Sequence, residues 1–281
     1  MRIGITGATG QLGQLVVDYL KTIVASTDIV ALVRDPSKAQ GLGVEARLFD
    51  YNKPEIILTH LKGIDRLLLI SGNEIGKRVQ QHENVILAAK AAGVKLLAYT
   101  SLLKADRSPI FLAREHLQTE DILKSSGIAY TILRNGWYTE NYTSNISQHI
   151  SNGALYGCAG NGNISSASRK DFAEAAALVL TGEGHENKIY ELAGDESFTL
   201  YDLTAEISRQ ADKAITYNNL SEADYAEVLK KVGMPEAMAG AFASVDTNIA
   251  NGALFDDGHQ LSKLIGRPTT PLSEIIRQAL E

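Results

Sequence analysis

Residues 2–13, Arg-Ile-Gly-Ile-Thr-Gly-Ala-Thr-Gly-Gln-Leu-Gly, decide the fold of this 281-residue chain. The first five of them have the apolar pattern of a short strand, and glycine then recurs at every third position. Apolar residues follow at helical spacing from Leu12 to Leu20. A strand, a glycine-rich turn and a helix in this order are typical of a turn that binds a dinucleotide.

Each glycine of this turn has a separate predicted role. Gly7 lets the chain leave the strand sharply, Gly10 keeps side chains away from a pyrophosphate, and Gly13 allows close packing of helix and strand. The phosphates would face free N–H groups at the positive end of the helix. The spacing G-x-x-G-x-x-G predicts a turn one residue longer than usual; an ordinary glycine-rich turn is the alternative. The cofactor-binding residues predicted here are Thr6, Gly7, Thr9, Gly10, Gln11, Leu12 and Gly13.

Strands and helices alternate regularly as far as about residue 135. The predicted strands lie near residues 2–6, 28–33, 45–49, 64–70, 94–99 and 128–133. The helices between them include residues 54–61, 80–92 and 113–125. This order predicts an α/β Rossmann fold, a doubly wound parallel sheet with right-handed connections. Ligands are expected beyond the carboxyl ends of its strands.

The second half of the chain has a different pattern. We expect residues 1–150 to form the dinucleotide-binding domain and residues 151–281 a smaller substrate lobe. The boundary is soft, because a short strand predicted at 188–193 could return to the sheet. Residues 153–163 are rich in glycine and asparagine and indicate a loop or hairpin. Helices are predicted at 170–180, 199–210, from Ser221, within 234–255 and at 272–280.

Composition narrows the class of protein. A formal charge of −6 gives no electrostatic reason to bind nucleic acid or an anionic membrane. The single cysteine, Cys158, excludes an intrachain disulfide and suits the reducing cytoplasm, where we expect the protein. No apolar run reaches transmembrane length, no signal-peptide pattern is present, and no residue spacing indicates a metal site.

Arg34 follows the second strand directly, at the position that lies beside the adenosine ribose in this fold. An arginine there suits a 2′-phosphate, which its planar guanidinium can bind through two hydrogen bonds. Lys38 adds a second positive charge, whereas Asp35 keeps NAD open as an alternative. We therefore expect NADP as the cofactor, with NADPH preferred over NADH.

Further polar residues fall at the predicted strand ends, on the rim where a dinucleotide would lie. Asp50 could accept a hydrogen bond from the adenine amino group. A short loop, Ser71, Gly72 and Asn73, could let the backbone approach the phosphates or the nicotinamide ribose. Thr100 and Ser101 complete this predicted rim. The alternative is that these residues are common loop residues with no ligand.

The Tyr-x-x-x-Lys pair of short-chain dehydrogenases is absent, since none of the eleven tyrosines has lysine four residues later. The pair supplies a proton to a carbonyl oxygen, so its absence argues against an ordinary ketone or alcohol substrate. His116 stands in the same region and is a candidate for proton supply. Its alternative role is a surface histidine paired with Glu120, one helical turn away. His82 is expected to pack rather than to react.

The segment after the sixth strand holds the only tryptophan, a tyrosine and two amides. Aromatic side chains at the mouth of the crevice suit a flat ring. The alternative is a structural hinge between core and lobe. The predicted substrate residues are Asn135, Gly136, Trp137, Tyr138 and Asn141. Among them Asn135 and Tyr138, together with His116, are the catalytic candidates.

Four stretches resemble the NmrA-like group of atypical short-chain dehydrogenases, and the likeness covers nearly the whole chain. They are residues 7–13, residues 33–36 (Val-Arg-Asp-Pro), residues 81–95 (Gln-His-Glu-Asn-Val-Ile-Leu-Ala-Ala-Lys-Ala-Ala-Gly-Val-Lys) and residues 126–136 (Ser-Gly-Ile-Ala-Tyr-Thr-Ile-Leu-Arg-Asn-Gly). The resemblance implies NADPH bound by the glycine turn and Arg34, with a quinone between the nicotinamide and the lobe. The missing tyrosine and lysine are normal for this group.

The expected reaction is direct hydride transfer from NADPH to a quinone, without flavin. A quinone is a strong electrophile, so the protein need mainly hold two rings face to face. The alternative is an NADP(H)-sensing regulator without turnover, since the group contains such proteins. An epimerase or ketone reductase is disfavoured by the absent Tyr-x-x-x-Lys pair. A homodimer is also compatible with the sequence.

Overall fold

The computed structural model describes residues 1–281 and contains nine strands and twelve α-helices. The strands are β1 (Ile3–Thr6), β2 (Ile29–Val33), β3 (Glu45–Leu48), β4 (Arg66–Leu69), β5 (Leu96–Leu102), β6 (Ala129–Asn135), β7 (Ala154–Gly157), β8 (Lys188–Leu192) and β9 (Thr216–Asn219). The helices are α1 (Gln11–Leu20), α2 (Pro54–His60), α3 (Arg78–Ala92), α4 (Ala113–Ser125), α5 (Glu140–Thr143), α6 (Ile146–Asn152), α7 (Arg169–Thr181), α8 (Leu200–Ala211), α9 (Glu222–Lys231), α10 (Glu236–Ala250), α11 (Gln260–Ile265) and α12 (Leu272–Leu280). Short 3-10 helices lie at Ser26–Asp28 and Pro36–Leu42.

Seven strands form one parallel sheet in the order β3-β2-β1-β4-β5-β6-β8. The predicted doubly wound α/β fold is therefore confirmed. Along β2, Ile29 and Ala31 pack towards α1 and α7, whereas Val30 and Leu32 pack towards α2 and α3. Both faces of the strand are covered, which explains its uninterrupted apolar sequence. The strand order reverses between β1 and β4, where such sheets bind ligands.

The chain after residue 150 contributes to both parts of the molecule. Strand β8 pairs with β6 and helix α7 packs against α1, so this part of the chain returns to the sheet, as the soft boundary allowed. The lobe is built around a separate apolar cluster that includes residues of β7, α8, α10 and α12. No helix is at once long enough and apolar enough to cross a bilayer.

A loop or hairpin was predicted within residues 153–163; residues 158–163 form a loop, and the hairpin alternative is wrong. Strand β7 pairs in parallel with β9, about sixty residues later, and the two form a small sheet of their own. A parallel pair needs a long crossover connection, which here contains α7, β8 and α8. Strand β9, like the short helices α5 and α6, was not predicted from the sequence.

Two strands of the main sheet are longer than predicted. Strand β5 continues to Leu102 and β6 to Asn135, because their ladder extends to a Leu102–Asn135 pair. Thr100 and Ser101 are consequently buried inside a strand rather than exposed on its rim. The expectation that they follow the strand end is wrong.

Arg134 joins helix α4 to strands β6 and β8 through a buried ionic network. Its Nε and Nη2 donate to the two carboxylate oxygens of Glu120 at 2.9 and 2.8 Å. Its Nη1 donates to Asp106 and Glu191, both at 2.8 Å. The side chain of Glu120 is fully buried, so the guanidinium provides the countercharge that makes this burial tolerable.

We predict that Arg134→Met lowers the free energy of unfolding by about 3–5 kcal/mol, because the buried Glu120 carboxylate loses its two guanidinium hydrogen bonds and keeps only the partly exposed Lys124 ammonium, at 3.4 Å, as a cation. Urea denaturation followed by circular dichroism measures this loss. Arg209→Met is the matched control, since Arg209 pairs with Glu206 on the exposed surface of α8, and it should cause no measurable change. Equal effects of the two substitutions would contradict the assignment of a buried network.

Candidate functional site

The glycine turn presents free backbone donors at the start of α1. Gly7 adopts a left-handed conformation with φ of +60°, and the N–H of Gly10 donates to its carbonyl at 2.8 Å. Helix α1 begins at Gln11 without a side-chain cap. The N–H groups of Gln11, Leu12 and Gly13 donate to no acceptor within the protein. This arrangement is suited to binding an anion such as a pyrophosphate.

Gly13 determines how closely α1 approaches the end of β1. A Cβ atom at this position would lie 2.3 Å from the carbonyl oxygen of Gly7 and 2.7 Å from the Cα of Ala8. Both neighbours are backbone atoms, which cannot rotate away. A Cβ at Gly10 would lie 3.2 Å from the same carbonyl oxygen. The third glycine of the motif therefore has the packing role predicted for it.

A cleft of about 520 Å³ lies beyond the carboxyl ends of β1 to β4; we call it the sheet-end cleft. Nine of the predicted cofactor residues line it: Gly7, Thr9, Gly10, Arg34, Lys38, Asp50, Ser71, Gly72 and Asn73. The sequence analysis missed other residues that also line it, including Tyr51, Asn52, Glu74 and Gln81. The Asn52 amide oxygen accepts a hydrogen bond from Gln81, so residues distant in sequence meet here.

The other predicted cofactor residues do not line the sheet-end cleft. Gln11, Leu12 and Gly13 belong to the first turn of α1, and the side chain of Leu12 is buried in the core. Thr6 Oγ1 accepts hydrogen bonds from the Ile70 N–H at 2.9 Å and from the Tyr51 hydroxyl.

The two β5 residues are also occupied inside the protein. Thr100 Oγ1 accepts from the Ser71 N–H at 2.9 Å, and Ser101 donates to Glu120 at 2.6 Å. Thr6 and Thr100 thus fix the position of the loop after β4 by accepting hydrogen bonds from its backbone.

The end of β2 carries two unpaired cations. Arg34 and Lys38 line the sheet-end cleft, are exposed, and form no ion pair. The neighbouring carboxylate of Asp35 accepts hydrogen bonds from the backbone N–H and the hydroxyl of Ser37, at 3.0 and 2.6 Å. These hydrogen bonds lower the pKa of Asp35, and they commit its oxygen to capping the following 3-10 helix. The geometry therefore favours a 2′-phosphate over a free ribose hydroxyl.

His82 lies behind the lining of the sheet-end cleft and contacts the backbone of Gly72. Its Nε2 accepts a hydrogen bond from the Gly72 N–H at 2.9 Å, so the ring proton is on Nδ1, which lies 3.0 Å from Thr119 Oγ1. Burial and the nearby Arg78 guanidinium lower the pKa of His82 to about 3. Arg78 in turn donates to the Gly72 carbonyl at 2.7 Å. The expectation that His82 packs is consistent with this, and its neutral ring positions the Gly72 backbone.

His116 is buried and lines neither the sheet-end cleft nor the cavity described below. Its Nδ1 lies 2.8 Å from the Tyr99 hydroxyl, and Glu120 is bound by Arg134 instead. The alternative of a surface His116–Glu120 pair is therefore wrong. Burial, followed by the nearby Arg78, lowers the pKa of His116 to about 3, so its ring is neutral at pH 7. A neutral imidazole at this depth is poorly suited to supplying a proton to a substrate.

The predicted substrate segment divides into two parts. Asn135 ends β6, and its amide oxygen is buried without a hydrogen-bond partner. The Gly136 N–H donates to the Leu192 carbonyl at 2.7 Å, which continues the ladder with β8. Tyr138 packs edge-to-face against Phe172, and the Arg169 guanidinium lies 4.7 Å from its ring centre.

Trp137 and Asn141 line a larger cavity of about 790 Å³, which we call the lobe cavity. Residues of α6, β7, α9 and α10 form most of the remaining wall, and most of the lining residues are apolar. The size lies within the range of about 300–1,000 Å³ that is typical of small-molecule sites. No group of three or more histidine, cysteine or acidic residues is arranged to hold a metal ion.

The fold, the glycine turn, the sheet-end cleft and the lobe cavity define a Rossmann protein that binds a dinucleotide and has a second cavity of small-molecule size. The model of the NAD(P)H-binding family matches residues 7–183, and the chain belongs to this family. It is 30% identical to the NmrA-like family domain-containing oxidoreductase flvB of Aspergillus flavus, over 100% of this chain and 95% of that one. The predicted NmrA-like membership is thereby confirmed.

Closer relatives are enzymes. The chain is 53% identical to Quinone oxidoreductase 2 of Escherichia coli, over 98% of this chain and 97% of the relative. The crystal structure of the NADPH-dependent quinone oxidoreductase QOR2 of Escherichia coli with NADPH superposes with a TM-score of 0.96, covering 99% and 100% of the two chains at 52% identity. A Citrobacter triphenylmethane reductase with NADP(H) superposes with a TM-score of 0.94, covering 99% of both chains at 39% identity.

We predict that Gly13→Ala lowers the free energy of unfolding by about 1–3 kcal/mol, because the new methyl group meets backbone atoms that cannot yield. Thermal and urea denaturation measure the change. Gly41→Ala is the matched control, since a Cβ at Gly41 meets no atom within 4 Å and φ is not positive there. A Gly13→Ala variant as stable as Gly41→Ala would show that α1 does not depend on this close approach.

Proposed function

We propose that the protein catalyses the two-electron reduction of quinones with NADPH as the electron donor. The hydride is transferred directly, without flavin. The observation that carries the proposal is the likeness to the Escherichia coli quinone oxidoreductase, which extends over both chains almost completely. We further propose that it acts in the cytoplasm, to which its single, reduced cysteine is suited.

The residues present fit NADPH well. In our proposal the pyrophosphate lies on the free N–H groups at the start of α1, and Arg34 with Lys38 binds the 2′-phosphate. Asp50 and the Ser71–Asn73 loop also line the sheet-end cleft, and we place the adenine beside Asp50 and the nicotinamide ribose along this loop. The unpartnered amide oxygen of Asn135 supplies a buried acceptor that suits the carboxamide NH₂ of the nicotinamide.

The lobe side of the site suits a flat, apolar acceptor. We place the quinone ring against the end of the lobe cavity that Trp137 and Asn141 line. NADPH, when bound, supplies a hydride, and the quinone takes up one proton to become the hydroquinone. No strong acid is needed, because an aromatic hydroquinone is formed and water can provide the proton. The proposed reaction therefore does not require a Tyr-x-x-x-Lys pair.

The competing proposal is a regulator that senses NADP(H) without turnover. The NmrA regulator has the same fold with a TM-score of 0.80, but it is only 14% identical, so it supports the fold alone. The enzymes with 53% and 39% identity favour catalysis.

Turnover is tested by mixing the purified protein, without added flavin, with NADPH and menadione under anaerobic conditions. We expect one NADPH to be oxidised per menadione reduced, at a rate proportional to protein concentration. Deuterium at the reactive C4 position of NADPH should slow the reaction. Tight NADPH binding without protein-dependent oxidation would instead support the regulator.

We predict that Arg34→Ala weakens NADPH binding by about 10–100-fold, the usual cost of losing hydrogen bonds to a charged phosphate. NADH binding should change by less than about twofold, since NADH has no 2′-phosphate. Isothermal titration with both nucleotides measures the two effects. Arg114→Ala, which removes an exposed arginine on α4, controls for net charge. An equal loss for NADPH and NADH would exclude Arg34 as the 2′-phosphate ligand.

A further inference from the structure

The lobe cavity has an unusual electrostatic character. Its wall contains five aromatic side chains, from Trp137, Tyr142, Tyr156, Tyr225 and Phe242. It contains neither lysine nor arginine, and its one acidic residue is Asp246. An aromatic wall attracts cations through the negative faces of its rings, and a carboxylate adds a full opposite charge.

The Asp246 carboxyl group is held in a defined position by the backbone of the lobe. Its Oδ2 accepts a hydrogen bond from the Cys158 N–H at 2.9 Å. A Cβ at Gly157 would lie 2.6 Å from this oxygen, so the carboxylate can come this close only because Gly157 has no side chain. No protein group donates to the other oxygen, Oδ1.

Nothing in the protein neutralises this carboxylate. The hydroxyl of Tyr142 is buried without a hydrogen-bond partner. Burial raises the pKa of the neighbouring Tyr225 hydroxyl and Cys158 thiol, so both are neutral near pH 7. Burial raises the pKa of Tyr217 to about 12 and lowers the pKa of His149, which leaves no cation facing Asp246.

A second carboxylate lies near this group. Glu222, at the start of α9, accepts a hydrogen bond from Thr247. It adds negative charge and provides no compensation for Asp246. A ligand cation would supply the missing countercharge.

We propose that the lobe cavity binds planar aromatic cations, with the carboxylate of Asp246 as the counter-ion and the aromatic wall as the stacking surface. The flat rings would pack against the side chains of Trp137 and Phe242. In our proposed function the quinone occupies the Trp137 end of the same cavity, whereas cation binding is an equilibrium property that is measured without turnover.

The test compares N-methylquinolinium with quinoline, which has the same two rings and is neutral at pH 7.5. Isothermal titration measures both affinities, and quenching of Trp137, the only tryptophan, locates the ligand. We expect N-methylquinolinium to bind at least tenfold more tightly than quinoline. Asp246→Asn should abolish this preference and leave quinoline binding within twofold. Equal affinities for the two ligands, or an unchanged preference in Asp246→Asn, would overturn the proposal.

A pH series gives a second, independent readout on the unaltered protein. Burial raises the pKa of Asp246 to about 6, so its carboxyl group is ionised at pH 7.5 and largely protonated at pH 5.0. Because the cation requires the ionised form, its affinity should fall about tenfold between these values. Asp246→Asn keeps Glu222 and His149, so it should lose this pH dependence. A cation affinity that does not change with pH would contradict the proposal.

Two controls separate binding in the cavity from general effects. Glu236→Gln removes one exposed carboxylate from the same helix, α10, and should leave the N-methylquinolinium affinity within twofold. An NADPH titration of Asp246→Asn, at the remote glycine turn, verifies that the variant is folded. A tenfold loss in Glu236→Gln would show that net charge, and not Asp246, attracts the cation.

Discussion

The rest of the site depends on the contact between α1 and the end of β1. At residue 13 this contact leaves no space for a Cβ atom. Because Gly13 lies against the backbone of Gly7 and Ala8, the first N–H groups of α1 point over the strand ends. Helix α1 also packs against α7, which comes from the second half of the chain. The absence of a side chain at residue 13 therefore positions the free N–H groups at the start of α1.

The floor of the sheet-end cleft is held by polar side chains that do not face the ligand. Thr6, Thr100 and His82 each bind a backbone N–H of the loop Ile70–Gly72. Since each acceptor is buried, losing one would leave a partly buried N–H without its protein partner. The Ser71–Gly72 backbone is consequently fixed before any cofactor arrives, which reduces the entropy cost of binding.

The sequence was sufficient for the parts of the structure that local pattern determines. The glycine turn, the apolar strands and the position of Arg34 were predicted correctly, because each depends on neighbouring residues. Thr100 and Ser101 were misplaced because the end of β5 is determined by its pairing with β6. The β7–β9 pair and the contact of His116 with Tyr99 join distant segments, so no local pattern indicated them.

The sheet-end cleft and the lobe cavity differ in the chemistry of the groups that line them. The sheet-end cleft offers backbone donors and two cations, which suit phosphates and carry little information about a second substrate. The lobe cavity offers aromatic rings and one carboxylate, which distinguish ligands by shape and charge. Asn135, at the end of β6, and Trp137, two residues later, connect these regions within a single short segment. Substitutions in the lobe cavity outside this segment can therefore change its shape and charge without altering the lining of the sheet-end cleft, because no residue lines both spaces.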